Sequence, residues 1–238
     1  MEKIPPNVSD TIQDFLKESS ARNWEEETHP MWKTPELITY SLAQRWADSD
    51  KTVLDLGAGL GRNAKVFLDN QFYVTAIDNS AYAVEYMKNN FSKYENLSIF
   101  QADMCSLPLD TSSISNIFSF NVLEHCNSSL IEKIFSEIYR VMKPDGEIFF
   151  TITSKESSSW KNRDYPQVDE NTKIKLKKGP EYGVMHYFAD QQSLQKLLHN
   201  FKIIRMSHVQ DLIFNDEPHN NCHYYVLAKC KKSKSKNL

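Results

Sequence analysis

Glycine is scarce in this chain, with six residues among 238, and three of the six stand within five positions, in VLDLGAGLGR, Val53 to Arg62. Cysteine is scarcer still: Cys105, Cys126, Cys222 and Cys230 lie far apart with no C-x-x-C pair, which argues against a zinc knuckle and a compact disulfide framework and predicts reduced thiols. No run reaches the ~18 consecutive apolar residues of a membrane span, and the opening MEKIPPNVSD lacks a basic-then-apolar leader. A soluble, cytoplasmic protein is the expectation, with no membrane partner. Excess charge is missing too. Lys plus Arg number 28 against 31 for Asp plus Glu, and a net charge of -3 offers no field for a polyanion, so no nucleic-acid partner is expected. Only the last stretch, KCKKSKSKNL, is locally basic, and residues 230–238 read as a disordered, solvated tail. No repeat of fixed period is present.

What is present alternates. Ile12, Phe15 and Leu16 have helical spacing behind Ser9 and Asp10, and a second helix is predicted to start at Thr34-Pro35 and run through ELITYSLAQRWA. Then KTVLDL, FYVTAID, LSIFQAD and SISNIFSFN read as strands, with RNAKVFLDN and AYAVEYMKNNF as the helices among them. The amphipathic SLIEKIFSEIYRVMK ends at PDG, a turn signal before the strand EIFFTIT. Such alternation requires crossover connections, hence a doubly wound α/β fold with a mostly parallel sheet and helices on both faces. From 154 to 185 the period fails over a length too great for an ordinary connection. The aromatic residues Trp160, Tyr165 and Tyr182, with Tyr187 and Phe188 just beyond, favour a lid. A short helix, DQQSLQKLLHN, and two strands, FKIIRMSHV and CHYYVLAK, close the domain as an antiparallel edge. The chain thus divides into N-terminal helices (1–50) covering a pocket, a domain (51–229) carrying the 154–185 lid, and the tail.

In an open parallel sheet the ligand crevice lies beyond the carboxyl ends of the strands, which puts Gly57, Gly59 and Gly61 at its rim. Glycine takes positive φ and lets another group approach its backbone closely. Dinucleotide folds would need a glycine at position 62, where Arg62 stands, and Asp55 would repel a pyrophosphate but attract a cation. A nicotinamide oxidoreductase is therefore disfavoured. Asp78 ends the second strand 21 residues beyond Gly57, about the ~20-residue spacing at which such folds present a carboxylate to ribose hydroxyls. Asp103 ends the third strand in the same way.

Together VLDLGAGLGR, AIDNS, QADM, FSFNVLEH and YRVMKPDGEIFF resemble, in order, the motif series of class I S-adenosylmethionine-dependent methyltransferases. GLGRNA is similar to the turn of tellurite-resistance-type and other small-molecule members. The resemblance implies a Rossmann-like seven-stranded sheet ordered 3-2-1-4-5-7-6 with the last strand antiparallel. S-adenosyl-L-methionine is the implied cofactor and S-adenosyl-L-homocysteine its product. It implies that Asp55, Gly57, Gly59 and Gly61 surround the methionine part, and that Asp78, with Asn79 beside it, meets the ribose. Asp103 and the Met104 amide would then meet the adenine, and Asn121 and Val122 pass beneath the cofactor. Some metal-binding relatives show E-x-x-E-H where this chain has Asn121, Glu124 and His125, so no metal is expected.

The expected reaction is an in-line methyl transfer to a small-molecule acceptor, which needs alignment and a dry site more than a protein nucleophile. His125, after the fourth strand, and His186, where the lid rejoins the core, are the candidate catalytic bases. Trp24 and Trp32 are candidate covers of the pocket. A cofactor-binding protein without turnover is the rival reading, and the chain fits a monomer or a homodimer equally.

Overall fold

The computed structural model describes residues 33–176, 181–214 and 217–233. The helix expected from Ser9, the residues Trp24 and Trp32, and positions 234–238 of the tail lie outside them. The core sheet contains β1 (Thr52–Leu56), β2 (Tyr73–Asp78), β3 (Leu97–Gln101), β4 (Ile114–Ser119), β5 (Met142–Thr153), β9 (Phe201–Phe214) and β10 (Glu217–Cys230). Its order is β3-β2-β1-β4-β5-β10-β9. Strands β1 to β5 pair in parallel, whereas β10 runs antiparallel to both β5 and β9. This is the order expected from the sequence, with β9 and β10 as its sixth and seventh strands.

Alternate residues of each central strand serve opposite layers, which is why helices must cover both faces. On β1, Val53 joins a cluster with α1 (Leu37–Arg45) and α2 (Arg62–Asp69), where Trp46, Phe67, Phe118 and Phe149 pack together. Ring centroids there stand 5.7 Å apart between Phe67 and Phe118 and again between Phe118 and Phe149. A ring so buried contributes about 1.5–3 kcal/mol relative to exposure. Leu54 and Leu56 face the other way, toward α4 (Ser128–Val141) and α6 (Gln191–Leu197), among Ile131, Ile138, Phe150 and Leu194. Between β2 and β3, α3 (Ala81–Asn90) packs Met87 on Ala76, and the Ser80 hydroxyl caps it by accepting from the Ala83 amide.

Four local expectations are corrected. Helix α1 begins at Leu37, not at Thr34-Pro35; Glu36 is its N-cap and makes no side-chain cap bond. Its amide donates instead to Asn63 Oδ1, which fastens the start of α1 to the first turn of α2. Strand β5 begins at Met142, before PDG, because Asp145 at φ 62° forms a bulge inside the strand rather than a turn ahead of it. Strands β9 and β10 are each 14 residues long, beyond the predicted limits, since their outer segments pair with one another. The aperiodic stretch holds structure of its own. It contains a short helix, α5 (Ser158–Lys161), then β6 (Gln167–Asp169) and β7 (Thr172–Ile174), which pair with β8 (Met185–Tyr187) in a separate antiparallel sheet. Strands of three residues are too short to show a period.

That small sheet is seated on the core. Asp169 accepts from the Ser128 amide (3.1 Å) and hydroxyl (2.7 Å) at the start of α4, and the Tyr187 amide donates to Glu124 O. No helix among the described residues is long and apolar enough to cross a membrane.

Candidate active site

Beyond the carboxyl ends of β1 to β4 lies a cavity of about 590 Å³. Gly57, Gly59, Asp78, Asn79, Asp103, Met104, Asn121, Val122 and His125 all line it. The glycine turn is tied to the end of β2: the Gly57 and Ala58 amides donate to Ile77 O, and the Gly59 amide donates to Asp78 Oδ2 at 2.8 Å. Asp78 Oδ1 accepts from the Ser80 amide at 2.9 Å. Each oxygen keeps a lone pair for a further donor, so the carboxylate is fixed in orientation while still able to accept from a ligand. Burial pushes the Asp78 carboxyl above its ordinary range. At the end of β3, Asp103 Oδ1 accepts from the Cys105 amide at 2.7 Å.

Asn121 adopts φ 54°, the left-handed region that asparagine tolerates better than most side chains. Its amide donates to Thr151 Oγ1 at 2.7 Å, and that hydroxyl returns its proton to Asn121 Oδ1 at 3.0 Å. The side chain is thus committed to shaping the backbone where β4 leaves the sheet. This explains why asparagine, not glutamate, stands there.

Three expected site residues sit elsewhere. Asp55 is buried beneath the turn and does not line the cavity. It accepts from the Ala64 amide in the first turn of α2, its Oδ2 has no hydrogen-bond partner, and burial pushes its carboxyl up to about 7. Gly61 is the N-cap of α2, where a Cβ would meet Phe91 and Met87 rather than a ligand. His186 is 1 % exposed and lies behind the cavity wall. Successive strand residues face opposite ways, so Met185 lines the cavity and His186 points away from it.

His186 nonetheless meets His125. Their rings are 4.9 Å apart at 83°, and each Nε2 approaches Glu181 Oε1, at 3.5 Å from His125 and 3.4 Å from His186. Glu181 Oε2 is ion-paired with Lys175. Burial opposes ionisation of Glu181, but His125 and Lys175 beside it hold it below the ordinary carboxylate range. Burial, aided by Lys175, lowers the His186 imidazole to about 3, so it is neutral.

Glu181 and Lys175 carry no local pattern in the sequence, and Arg62 stands out there only as the residue in the place of a glycine. Arg62 lines the cavity, where its Nη1 bonds Glu36 Oε1 at 2.9 Å and Thr34 O at 3.0 Å. The segment before β1 is therefore anchored at the cavity rim. Of the lid aromatics, Tyr165 is buried, Trp160 packs on Phe188 with centroids 5.3 Å apart, and Tyr182 is exposed.

A family described as "Methyltransferase domain" matches residues 53–146. Phosphoethanolamine N-methyltransferase 1 of Triticum aestivum is 29% identical over 142 residues, which cover 58% of this chain and 27% of that protein. A malonyl-[acyl-carrier protein] O-methyltransferase of a Marinomonas species is 34% identical over 107 residues, covering 44% and 39%. The chain thus spans less than half the length of these curated relatives. Among solved structures, an S-adenosylmethionine-dependent methyltransferase of Methanosarcina mazei superposes with a TM-score of 0.66 at 16% identity, over 79% of this chain and 96% of that one. The Burkholderia thailandensis 1,6-didemethyltoxoflavin-N1-methyltransferase, with 1,6-didemethyltoxoflavin and S-adenosylhomocysteine bound, gives 0.63 at 14% identity over 97% and 93%. Residues 53–146 thus match the methyltransferase-domain family, and the sheet has the fold of these solved S-adenosylmethionine-dependent methyltransferases.

Proposed function

We propose that the chain binds S-adenosylmethionine in this cavity and transfers its methyl group to a small-molecule acceptor, residues 51–229 forming the transferase domain and 154–185 its lid. The carrying observation is the meeting, around one cavity, of a turn with open space at Gly59 and two oriented carboxylates, Asp78 and Asp103. A Cβ built on Gly59 would meet nothing within 4 Å, so the room in front of that backbone belongs to a ligand rather than to packing. Asp78 is assigned to the ribose hydroxyls, Asp103 and the Met104 amide to the adenine edge, and Asn121 and Val122 to the floor. Asp55 acts from behind the turn by holding the start of α2.

When bound, the cofactor supplies a sulfonium methyl and departs as S-adenosylhomocysteine. The protein's part is to hold the acceptor in line, exclude water and take up the acceptor's proton. His125 is the imidazole that lines the cavity, and it is assigned the proton. His186 touches neither ligand and positions the His125 side of the wall. Val184 and Met185, which also line the cavity, bring the lid to the acceptor and make it the seat of selectivity. The relative with 1,6-didemethyltoxoflavin bound, similar over nearly the whole chain, supports an acceptor of that size class.

The test is a screen of hydroxyl, amine, thiol and chalcogen compounds for S-adenosylhomocysteine release. Release that depends on one acceptor class supports the transferase reading. Tight S-adenosylmethionine binding with no turnover of any acceptor would replace it with the reading of a cofactor-binding protein.

A further inference from the structure

His186 poses a problem of lone pairs. Its Nδ1 lies 3.1 Å from Val184 O, and a carbonyl only accepts, so Nδ1 carries the ring proton and Nε2 presents a lone pair. That Nε2 is buried, makes no hydrogen bond, and faces the Glu181 Oε1 lone pairs at 3.4 Å. Two acceptors facing each other at that distance, one of them buried, cost stability unless a donor or a cation stands between them.

We infer that this cation is a divalent transition-metal ion, zinc foremost, held by His125 Nε2, Glu181 Oε1 and His186 Nε2. The three donor atoms all lie within 4.8 Å of one another. A four-coordinate zinc with bonds of about 2.1 Å keeps its ligand atoms about 3.4 Å apart, which matches the 3.4 and 3.5 Å separations from Glu181 Oε1. The rings stand edge to face at 83° and do not stack, which leaves both Nε2 atoms near Glu181 Oε1. The outer contacts are those of a ligand set. His186 Nδ1–H is held by a backbone carbonyl, and Lys175 holds Glu181 Oε2, leaving Oε1 to bind singly. Lys175 adds a positive charge near the ion, and the Glu181 carboxylate with which it pairs offsets it. Two imidazoles and one carboxylate suit zinc, cobalt or iron(II) and not magnesium or calcium, which favour oxygen ligands.

Since His125 lines the cavity, a fourth ligand position opens toward the acceptor. This consequence rests on the transferase reading; the ion itself does not. An acceptor hydroxyl or thiol bound there loses its proton to solvent more readily and attacks as the anion, so the ion replaces His125 as the means of deprotonation. The expectation of no metal, drawn from Asn121, is thereby revised: the missing carboxylate is supplied by Glu181, from the lid.

The test uses the full chain, stripped with a chelator and titrated with Zn²⁺ by calorimetry and with Co²⁺ by visible absorption. One equivalent of each is expected, with the ligand-field bands of a four- or five-coordinate nitrogen-oxygen site. Glu181→Gln and His186→Asn should each weaken binding by more than about 100-fold, beyond the loss usual for an outer-shell change. S-adenosylhomocysteine binding, measured in the same variants, should persist and so report that they fold. Glu181→Gln, at a side chain 38 % exposed, decides the matter if His186→Asn fails to fold. Absence of binding to the stripped protein, equal affinity in Glu181→Gln, or a thiolate-to-cobalt band that puts the ion on a cysteine would each overturn the site. Loss of cofactor binding with zinc affinity intact would remove the transferase reading and leave the site standing.

Discussion

A Cβ added at Gly57 would lie 2.3 Å from Val122 Cγ1, whereas one at Gly59 would meet nothing within 4 Å, although both residues have positive φ. The two positions should therefore part under the same substitution. Gly57→Ala is expected to lower the melting temperature strongly, because the end of β1 must move away from β4. Gly59→Ala should cost only the left-handed strain of about 1–2 kcal/mol while abolishing S-adenosylmethionine binding. Thermal unfolding and calorimetry on the pair check both, and equal loss of stability would remove the assignment of open space to a ligand. Asp55 gives a second test. Its folded-state pKa, about 7, stands above the ordinary 3.8 because of burial. Between those values the unfolded chain ionises first, so stability falls as pH rises from about 4 to about 7 and then levels. Asp55→Asn keeps an acceptor for the Ala64 amide but cannot ionise. Relative to it, the wild type should lose on the order of 4 kcal/mol at most across that window, read from denaturant unfolding at several pH values. The spacing of the glycines and acids was legible in the sequence because residues two apart share a strand face and strand ends meet at one rim. That Asp55 and Gly61 support the turn from behind was not, because spacing along a chain does not tell which side of a turn a ligand occupies.

The elements of the core were legible because each carries a pattern that matches its burial, from the short run of β1, buried on both faces, to the apolar stripe of α4. The inserted sheet was not, since β6, β7 and β8 hold three residues each and depend on contacts made far away in sequence. One such contact is Asp169, which binds the amide and hydroxyl of Ser128 in the first turn of α4. Burial works against the ionised form, but these bonds and that from the Asn171 amide outweigh it and hold the Asp169 carboxyl below its ordinary range. Asp169→Ala removes a charge at a helix start and should cost about 1 kcal/mol, in line with the loss of a cap. Its sharper effect should be local: limited proteolysis is expected to cut within 154–185 faster, with the strands of the large sheet as protected as before. Uniform protection from proteolysis would show that the insertion is held by other contacts.

The cavity joins parts of the fold that are distant in sequence. Its lining comes from the turn after β1, the ends of β2, β3 and β4, the first turns of α4, and Met185 of the inserted sheet. A ligand there touches both the crossover layers and the insertion, so its binding free energy should appear in the unfolding of the entire domain and not in one loop. For a ligand bound only by the folded state the gain is RT ln(1 + [L]/Kd), about 2.7 kcal/mol at 100 times Kd. S-adenosylhomocysteine is therefore expected to raise the melting temperature by several degrees in a single sharpened transition, with the shift growing logarithmically with ligand. Asp78→Ala should abolish most of that shift while leaving the ligand-free melting temperature close to wild type, because the Asp78 oxygens bond nearby amides, Gly59, Asn79 and Ser80, at the cavity edge. A shift of full size in Asp78→Ala would remove the ribose assignment. A shift confined to one of two resolved transitions would mean that the insertion unfolds apart from the sheet, and the lid would then be an independent unit rather than a wall of the same cavity.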